Sequence, residues 1–131
     1  MCGCIEYINF KKFYRKNIIN MNEMFNECYS LKELNLSNFN TNNVSKMGSM
    51  FADCPSLKEI NLSNFNTNNV TDMACMFCGC SSLKELNLFN FNTNKVMYMR
   101  CMFYGCSEQF KNKIRAEYKN IGEAAFNEDI Y

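Results

Sequence analysis

Apolar and polar positions along this chain form a pattern that repeats every 26 residues. The same step joins the cysteines Cys28, Cys54, Cys80 and Cys106, and the Met-Phe pairs that begin at 24, 50, 76 and 102. Three full copies, 21–46, 47–72 and 73–98, follow one another without insertion or deletion. Residues 1–20 are a degenerate copy that begins at Cys2, residues 99–106 are a partial copy, and the period fails after Cys106. The pattern predicts one repeat domain over 1–131.

Each copy contains two different hydrophobic periods. In 31–36, Leu34 and Leu36 alternate with polar residues, which is typical of a strand with one buried face. An asparagine-rich segment, 38–43, predicts a turn, because asparagine tolerates left-handed φ. From Val44 to Cys54, apolar residues recur at steps of three and four, the spacing of a buried helix face. One copy is therefore predicted to be a strand, a turn and a helix of roughly two turns, with glycines such as Gly79 after the helix end.

No single copy can bury its apolar side, so the copies must stack on one another. Parallel strands stack at about 4.8 Å, whereas packed helices need about 8–10 Å. This difference in spacing predicts a curved stack, with strands on the concave side and helices on the convex side. The expected fold class is α/β, a leucine-rich-repeat-type solenoid. Residues 107–131 form its predicted C-terminal cap, in which an amphipathic helix begins at the N-cap Ser107 and ends before Gly122.

The element Met-x-x-Met-Phe-x-x-Cys, with the preceding string Leu-Lys-Glu-Leu-Asn-Leu-Ser-Asn-Phe-Asn-Thr-Asn-Asn-Val, resembles the repeat of the BspA-like leucine-rich surface proteins. The resemblance is close over 21–106 and looser over 1–20. It implies a surface-exposed adhesin or host-interaction module without enzymatic activity. The family has no catalytic residues to carry over, so no catalytic residue and no cofactor are expected.

Composition excludes several classes of function. The chain has 14 basic and 13 acidic side chains and a formal charge of +1, so no global field favours nucleic acid. It has no histidine, which removes the commonest general base and metal ligand. No secretory signal and no apolar run long enough to span a membrane is recognisable, so we expect no membrane insertion. The cellular location is therefore unknown from the residues alone; the resemblance suggests the cell surface.

The nine cysteines allow a different interpretation. A zinc site could be formed by thiolates from this set: Cys75, Cys78, Cys80, Cys101 and Cys106. However, the 26-residue step explains most of these positions as a buried ladder, in which cysteine acts as a small apolar residue. Disulfides within the ladder are not expected, because helix-spaced copies hold the thiols too far apart. We therefore expect no metal. An intracellular thiol-rich metal or redox protein, or a truncated repeat fragment, remains the alternative.

The exposed side of the predicted strands is the candidate binding surface, since curved repeat proteins commonly bind through their concave face. Its candidate residues recur at the repeat step: Glu33, Asn35, Glu59, Asn61, Glu85, Asn87 and Phe89. A row of like charges is mildly destabilising, so Lys32, Lys58, Lys84 or a basic protein partner should relieve it. Phe89 replaces a serine of the earlier copies and predicts either an exposed anchor or packing on the C-terminal segment.

The first strand has no predecessor, and unpaired strand edges recruit other chains. We therefore expect a monomer, or weak self-association through this N-terminal edge. Lys11 and Lys12 would only partly block such pairing.

Overall fold

Four short parallel strands occupy equivalent positions of successive copies in the computed structural model, which describes residues 3–11 and 13–128. They are β1 (Tyr7–Asn9), β2 (Glu33–Asn35), β3 (Glu59–Ile60) and β4 (Glu85–Leu86). β1 pairs with β2 and β3 with β4, and β2 lies beside β3. Ile8 lies opposite Leu34 and Ile60 opposite Leu86, so the register follows the 26-residue step, including its extension into the degenerate first copy.

The segments predicted to be short helices are turns instead. In 21–28, 47–54 and 73–80 alternate backbone N–H groups donate to the following copy, and N–H groups between them donate to the carbonyl three residues earlier. An α-helix would instead direct each N–H to the carbonyl four residues earlier. The N–H of Glu23 donates to the carbonyl of Gly48 at 3.0 Å, and that of Phe25 to the carbonyl of Met50 at 2.9 Å. The prediction of helices on this side of the stack is therefore wrong.

Backbone conformation explains why no helix forms there. In each of these segments, and in 99–106, two residues four positions apart have a positive φ: Glu23, Glu27, Ser49, Asp53, Cys75, Gly79, Cys101 and Gly105. A left-handed residue cannot continue a right-handed helix, and it turns the chain so that alternate N–H groups face the next copy. At Gly79, with φ +73, a Cβ atom would overlap the Asp53 carboxylate. Glycine at this position therefore allows a left-handed turn that packs against the preceding copy, and it does not end a helix.

The predicted spacing between copies is also wrong for the turn ladder, as we call the hydrogen-bonded turn segments 21–28, 47–54, 73–80 and 99–106. Phe25, Phe51, Phe77 and Phe103 form a stacked row, with ring centroids 5.8, 5.4 and 5.7 Å apart. This is far closer than the 8–10 Å expected for packed helices. Both sides of the stack are thus held at the spacing of hydrogen-bonded backbones, and helix packing cannot be the cause of a curvature.

The asparagine-rich turns connect neighbouring copies through side chains. The buried hydroxyl of Thr41 donates to the carbonyl of Asn66 at 3.1 Å and accepts its N–H at 2.8 Å. Asn64 donates to the carbonyls of Leu36 and Phe39 in the preceding copy. The polar residues of this segment therefore satisfy backbone groups between copies, which a solvent-facing loop would leave to water.

The C-terminal segment covers the last copy. Helix α1 (Glu108–Glu117) begins at Ser107, whose Oγ accepts the N–H of Phe110, and ends at Tyr118, earlier than predicted. A 3₁₀ turn (Glu123–Ala125) then accepts N–H groups from the last copy: Cys101 donates to Ala124 at 2.9 Å and Phe103 to Ala125 at 2.7 Å. Phe126 stacks on Phe103 at 5.5 Å and so extends the phenylalanine row. The roles predicted for Cys2 and Lys12 lie outside the described residues, as do residues 129–131 of the predicted cap.

Candidate functional site

The seven candidate binding residues all line one groove, which we call the strand groove. Its volume is about 860 Å³. The polar and aromatic side chains that line it are Tyr7, Asn9, Glu33, Asn35, Glu59, Asn61, Glu85, Asn87, Phe89, Lys113, Glu117 and Tyr118. Tyr7 and Asn9 belong to β1, the seven candidates to the later copies, and the last three residues to the C-terminal segment. The groove therefore combines the strand face with the helix that closes one end of it.

Strand alternation creates a row of carboxylates along the groove. In β2, β3 and β4 the apolar residues Leu34, Ile60 and Leu86 are buried, so the glutamates before them are exposed. Glu59 lies opposite Glu85 in the paired strands β3 and β4. Parallel strands lie about 4.8 Å apart, so the backbones that carry neighbouring carboxylates of this row are separated by about that distance. We call Glu33, Glu59 and Glu85 the glutamate row.

One member of the glutamate row has a partner within the chain. Lys113 Nζ on helix α1 lies 2.9 Å from Glu85 Oε2. This hydrogen bond is the main reason why the pKa of Lys113 is raised. Lys32, which was expected to relieve the row, pairs with Glu6 at 3.0 Å instead. Within the described residues, Glu33 and Glu59 form no salt bridge, so the row is neutralised at one end only.

The side-chain oxygen of each asparagine in the groove has a structural role. The Oδ1 atoms of Asn35, Asn61 and Asn87 accept the N–H two residues later, at 3.0, 2.9 and 3.0 Å. Such Asx turns end a strand and start the following turn. Each of these side chains therefore still has its amide N–H groups and the second lone pair of Oδ1 to offer a partner.

Phe89 is exposed and also contacts the C-terminal segment. Its side chain is 74% exposed, and its ring meets the ring of Tyr118 edge to face at 5.1 Å. Tyr118 is buried, and its hydroxyl accepts the N–H of Leu88 and donates to the carbonyl of Leu86. The two interpretations of Phe89 from the sequence thus both describe part of its environment. Tyr118 fixes one side of the ring and leaves the rest of it open to the groove.

Sequence reasoning missed Lys113, Glu117 and Tyr118 as groove residues. The four-residue spacing of Phe110, Ile114 and Tyr118 does indicate one apolar face of a helix. That signal shows which side chains are buried together but not which part of the stack they cover. The position of Lys113 beside Glu85 follows from that docking.

The buried cysteines donate hydrogen bonds to the preceding copy. Cys54, Cys80 and Cys106 each donate through Sγ to a phenylalanine carbonyl, at 3.1, 3.1 and 3.3 Å. Burial raises the pKa of Cys80, that of Cys106 to about 12 and that of Cys78 to about 11. Thiols that hold their protons are poor nucleophiles and poor metal ligands. In the part of the chain that the structure describes, no three Cys, Asp or Glu residues are grouped to hold a metal ion.

Alkaline pH is expected to destabilise the protein through these thiols. Above the ordinary thiol pKa of about 8.5 the unfolded chain loses protons that buried Cys80 and Cys106 retain. The free energy of unfolding should then fall by about 1.4 kcal/mol per pH unit for each such thiol. For Cys106 this window extends to about pH 12. Urea unfolding between about pH 7 and pH 10 measures the fall, and Cys106→Ala should make it shallower. Equal slopes for the two proteins would show that Cys106 is not protonated and buried as described.

No helix in the described ranges 3–11 and 13–128 has the length and apolarity that crossing a membrane requires. Parallel strand pairs whose partners lie 26 residues apart define the class: a repeat protein. The chain matches the family described as "Mycoplasma protein of unknown function, DUF285" over residues 3–118. It belongs to this family, a repeat family related to BspA-like surface proteins. Searches of curated proteins and of solved structures found no match.

Proposed function

We propose that this chain is a non-enzymatic protein-binding module of adhesin or surface-protein type, which binds a basic segment of a partner in the strand groove. The observation that carries the proposal is the glutamate row, open at Glu33 and Glu59, in the same groove as the exposed ring of Phe89. We also propose that the stacked copies form a leucine-rich-repeat-type solenoid, with the turn ladder in place of helices.

Electrostatics favour a cationic partner for this groove. Like charges on neighbouring strands repel, so the free protein carries an unfavourable interaction that a bound cation removes. An acidic cleft also attracts basic partners over a distance and raises their association rate. Phe89 adds a different contribution, because a large ring that becomes buried on binding slows dissociation. In this proposal the glutamate row raises the association rate of a basic partner, and Phe89 lowers its dissociation rate.

Family membership supports the surface-protein part of the proposal. The family is related to BspA-like surface proteins, and the close resemblance of 21–106 to their repeat is consistent with binding outside the cell. The acidic groove, however, would bind a basic ligand whether the protein lies inside the cell or on its surface.

A pair of charge reversals tests the proposal. A partner is first captured by cross-linking to the wild-type protein from host-cell surface extract, and its binding kinetics are then measured at several salt concentrations. Glu33→Lys with Glu59→Lys should slow association and flatten its salt dependence, because exposed charges act mainly on the association rate. Phe89→Ala should speed dissociation and weaken binding by about 1–3 kcal/mol.

The matched control for the charge reversals is Glu23→Lys with Glu128→Lys, which makes the same change in net charge outside the groove. Both control residues are exposed. If the control slows association as much as the groove variant does, net charge and not the groove governs binding. If a partner binds all variants as it binds wild type, the site lies elsewhere on the molecule.

Weak self-association through β1 is a further part of the proposal. Among residues 3–11 and 13–128, only β2 pairs with β1, and Tyr7 is 60% exposed. The segment 20–26 also offers carbonyl groups, since the equivalent carbonyls of Gly48 and Met50 accept N–H groups from the preceding copy. If two molecules met through this segment, carbonyl groups would face carbonyl groups and no hydrogen bonds could form between them. Pairing between two molecules is therefore limited to the short β1 edge, which predicts weak association.

A further inference from the structure

Lys113 extends from helix α1 into the glutamate row. Its ammonium lies 2.9 Å from Glu85 Oε2, and both side chains are exposed, at 41% and 66%. The groove therefore already holds one cation, supplied by the chain itself. This contact shows the type of group that a carboxylate of the row accepts and the distance at which it does so.

We propose that Lys113 is an internal occupant of the strand groove that competes with the cationic side chains of a partner for Glu85. This inference rests on the proposed function and specifies its partner chemistry. In the resting protein the vacant part of the row is the pair Glu33 and Glu59, so the primary ligand is a segment with neighbouring lysine or arginine side chains. Displacement of Lys113 makes a third carboxylate available to a partner with more basic residues.

The exposure of the pair makes displacement feasible. Ion pairs between exposed side chains change equilibria by only a few-fold, because water and salt screen both charges. A polybasic segment bound at Glu33 and Glu59 would hold its next cation beside Glu85 at a high effective concentration. Lys113 would then yield and move to solvent, since it stands on a helix whose burial depends on Phe110 and Ile114. Neither the helix nor the strands would have to rearrange.

Fluorescence anisotropy with a labelled hexalysine peptide at low ionic strength tests the inference on the full chain. Lys113→Gln should bind the peptide about two- to fivefold more tightly than wild type, the factor expected for releasing one exposed ion pair. Glu85→Gln in the Lys113→Gln background should remove most of this gain. In the wild-type background, Glu85→Gln should have a smaller effect, because its carboxylate is already occupied.

Lys119→Gln is the matched control, since Lys119 is an exposed lysine that follows α1 and donates to the carbonyl of Arg115 outside the groove. It loses the same charge without vacating Glu85. A gain for Lys119→Gln equal to that for Lys113→Gln would overturn the inference and attribute the effect to net charge. An equal effect of Glu85→Gln in both backgrounds would also overturn it.

The failures of the two proposals differ. If Glu33→Gln with Glu59→Gln leaves hexalysine binding unchanged, the groove is not the cation-binding surface, and the proposed function fails together with the inference. If that pair weakens binding but Lys113→Gln does not strengthen it beyond the Lys119 control, the groove binds cations and only the competition by Lys113 is refuted. Thermal unfolding of each variant at the same ionic strength checks that the fold is retained.

Discussion

Replacing Phe77 with alanine is expected to lower the free energy of unfolding by about 3–5 kcal/mol. Phe77 is fully buried, and its ring stacks between Phe51 at 5.4 Å and Phe103 at 5.7 Å. Its backbone N–H also donates to Met102 in the next copy, so the surrounding backbone cannot easily collapse into the space left by the ring. A cavity that cannot be filled accounts for the upper part of this range, because the neighbouring atoms lose their packing partners.

Phe89→Ala is the matched control for Phe77→Ala. It makes the same chemical change in the neighbourhood of the fourth strand, but the ring of Phe89 is 74% exposed. Surface substitutions usually change stability by about 0.5 kcal/mol or less. Urea unfolding of both variants measures the difference in the free energy of unfolding, provided that their m-values equal that of the wild type. A loss below about 1 kcal/mol for Phe77→Ala would mean that the phenylalanine row does not pack as described.

The sequence predicted the register of the copies but not the conformation of their second half. A constant step of 26 residues places Leu34 beside Ile8 and Phe77 beside Phe51, whatever local structure connects them. The steps of three and four from Val44 to Cys54 show which side chains face the core. A series of turns with left-handed residues four positions apart produces the same steps as a helix. Hydrophobic periodicity therefore could not distinguish the two.

A sequence signal for the turns does exist at the left-handed positions. Glu27, Asp53, Gly79 and Gly105 are equivalent in the repeat, and all four have positive φ. Glycine in two copies of an otherwise helix-like segment fits the end of a helix, and that interpretation was the prediction. It fits a left-handed turn equally well. The hydrogen-bond partners in the next copy decide between them, and these become visible only when two copies are stacked.

The candidate site was predictable to the extent that it depends on strand alternation. Exposure of Glu33, Glu59 and Glu85 follows from burial of the residue after each of them. The contribution of Lys113 does not follow from any local pattern, because it depends on the face of the stack against which α1 packs. The sequence therefore indicates the charge of the groove, whereas only the structure shows that one carboxylate is already occupied.

Deleting residues 107–131 is expected to destabilise the protein and to cause association of the truncated chains. The deletion removes the carbonyls of Ala124 and Ala125, which accept the N–H groups of Cys101 and Phe103. It also uncovers the outer face of the Phe103 ring, on which Phe126 stacks at 5.5 Å. Leaving a row of donors open beside an apolar surface creates an edge that recruits other chains.

The direction of the exposed hydrogen bonds makes this expectation specific. The uncapped end would present the N–H donors of Cys101 and Phe103. The N-terminal segment 20–26 presents carbonyls equivalent to those of Gly48 and Met50, which accept such donors between copies. Truncated molecules can therefore join head to tail, which the acceptor-to-acceptor contact of two N-terminal ends does not allow. Such a heterologous contact does not close on itself and continues into longer assemblies. Sedimentation velocity over a range of concentrations should show species larger than a dimer for the truncated chain.

The control for the truncation is Gly122→Ala, a change within the same segment at an ordinary φ of −76° with open space around the position of a new Cβ. It should sediment as wild type does and unfold at a similar urea concentration. A truncated chain that stays monomeric and equally stable would show that residues 107–131 are an appendage of the stack. Association limited to dimers would instead indicate pairing through β1, because head-to-tail contacts leave one donor end and one acceptor end open at every length.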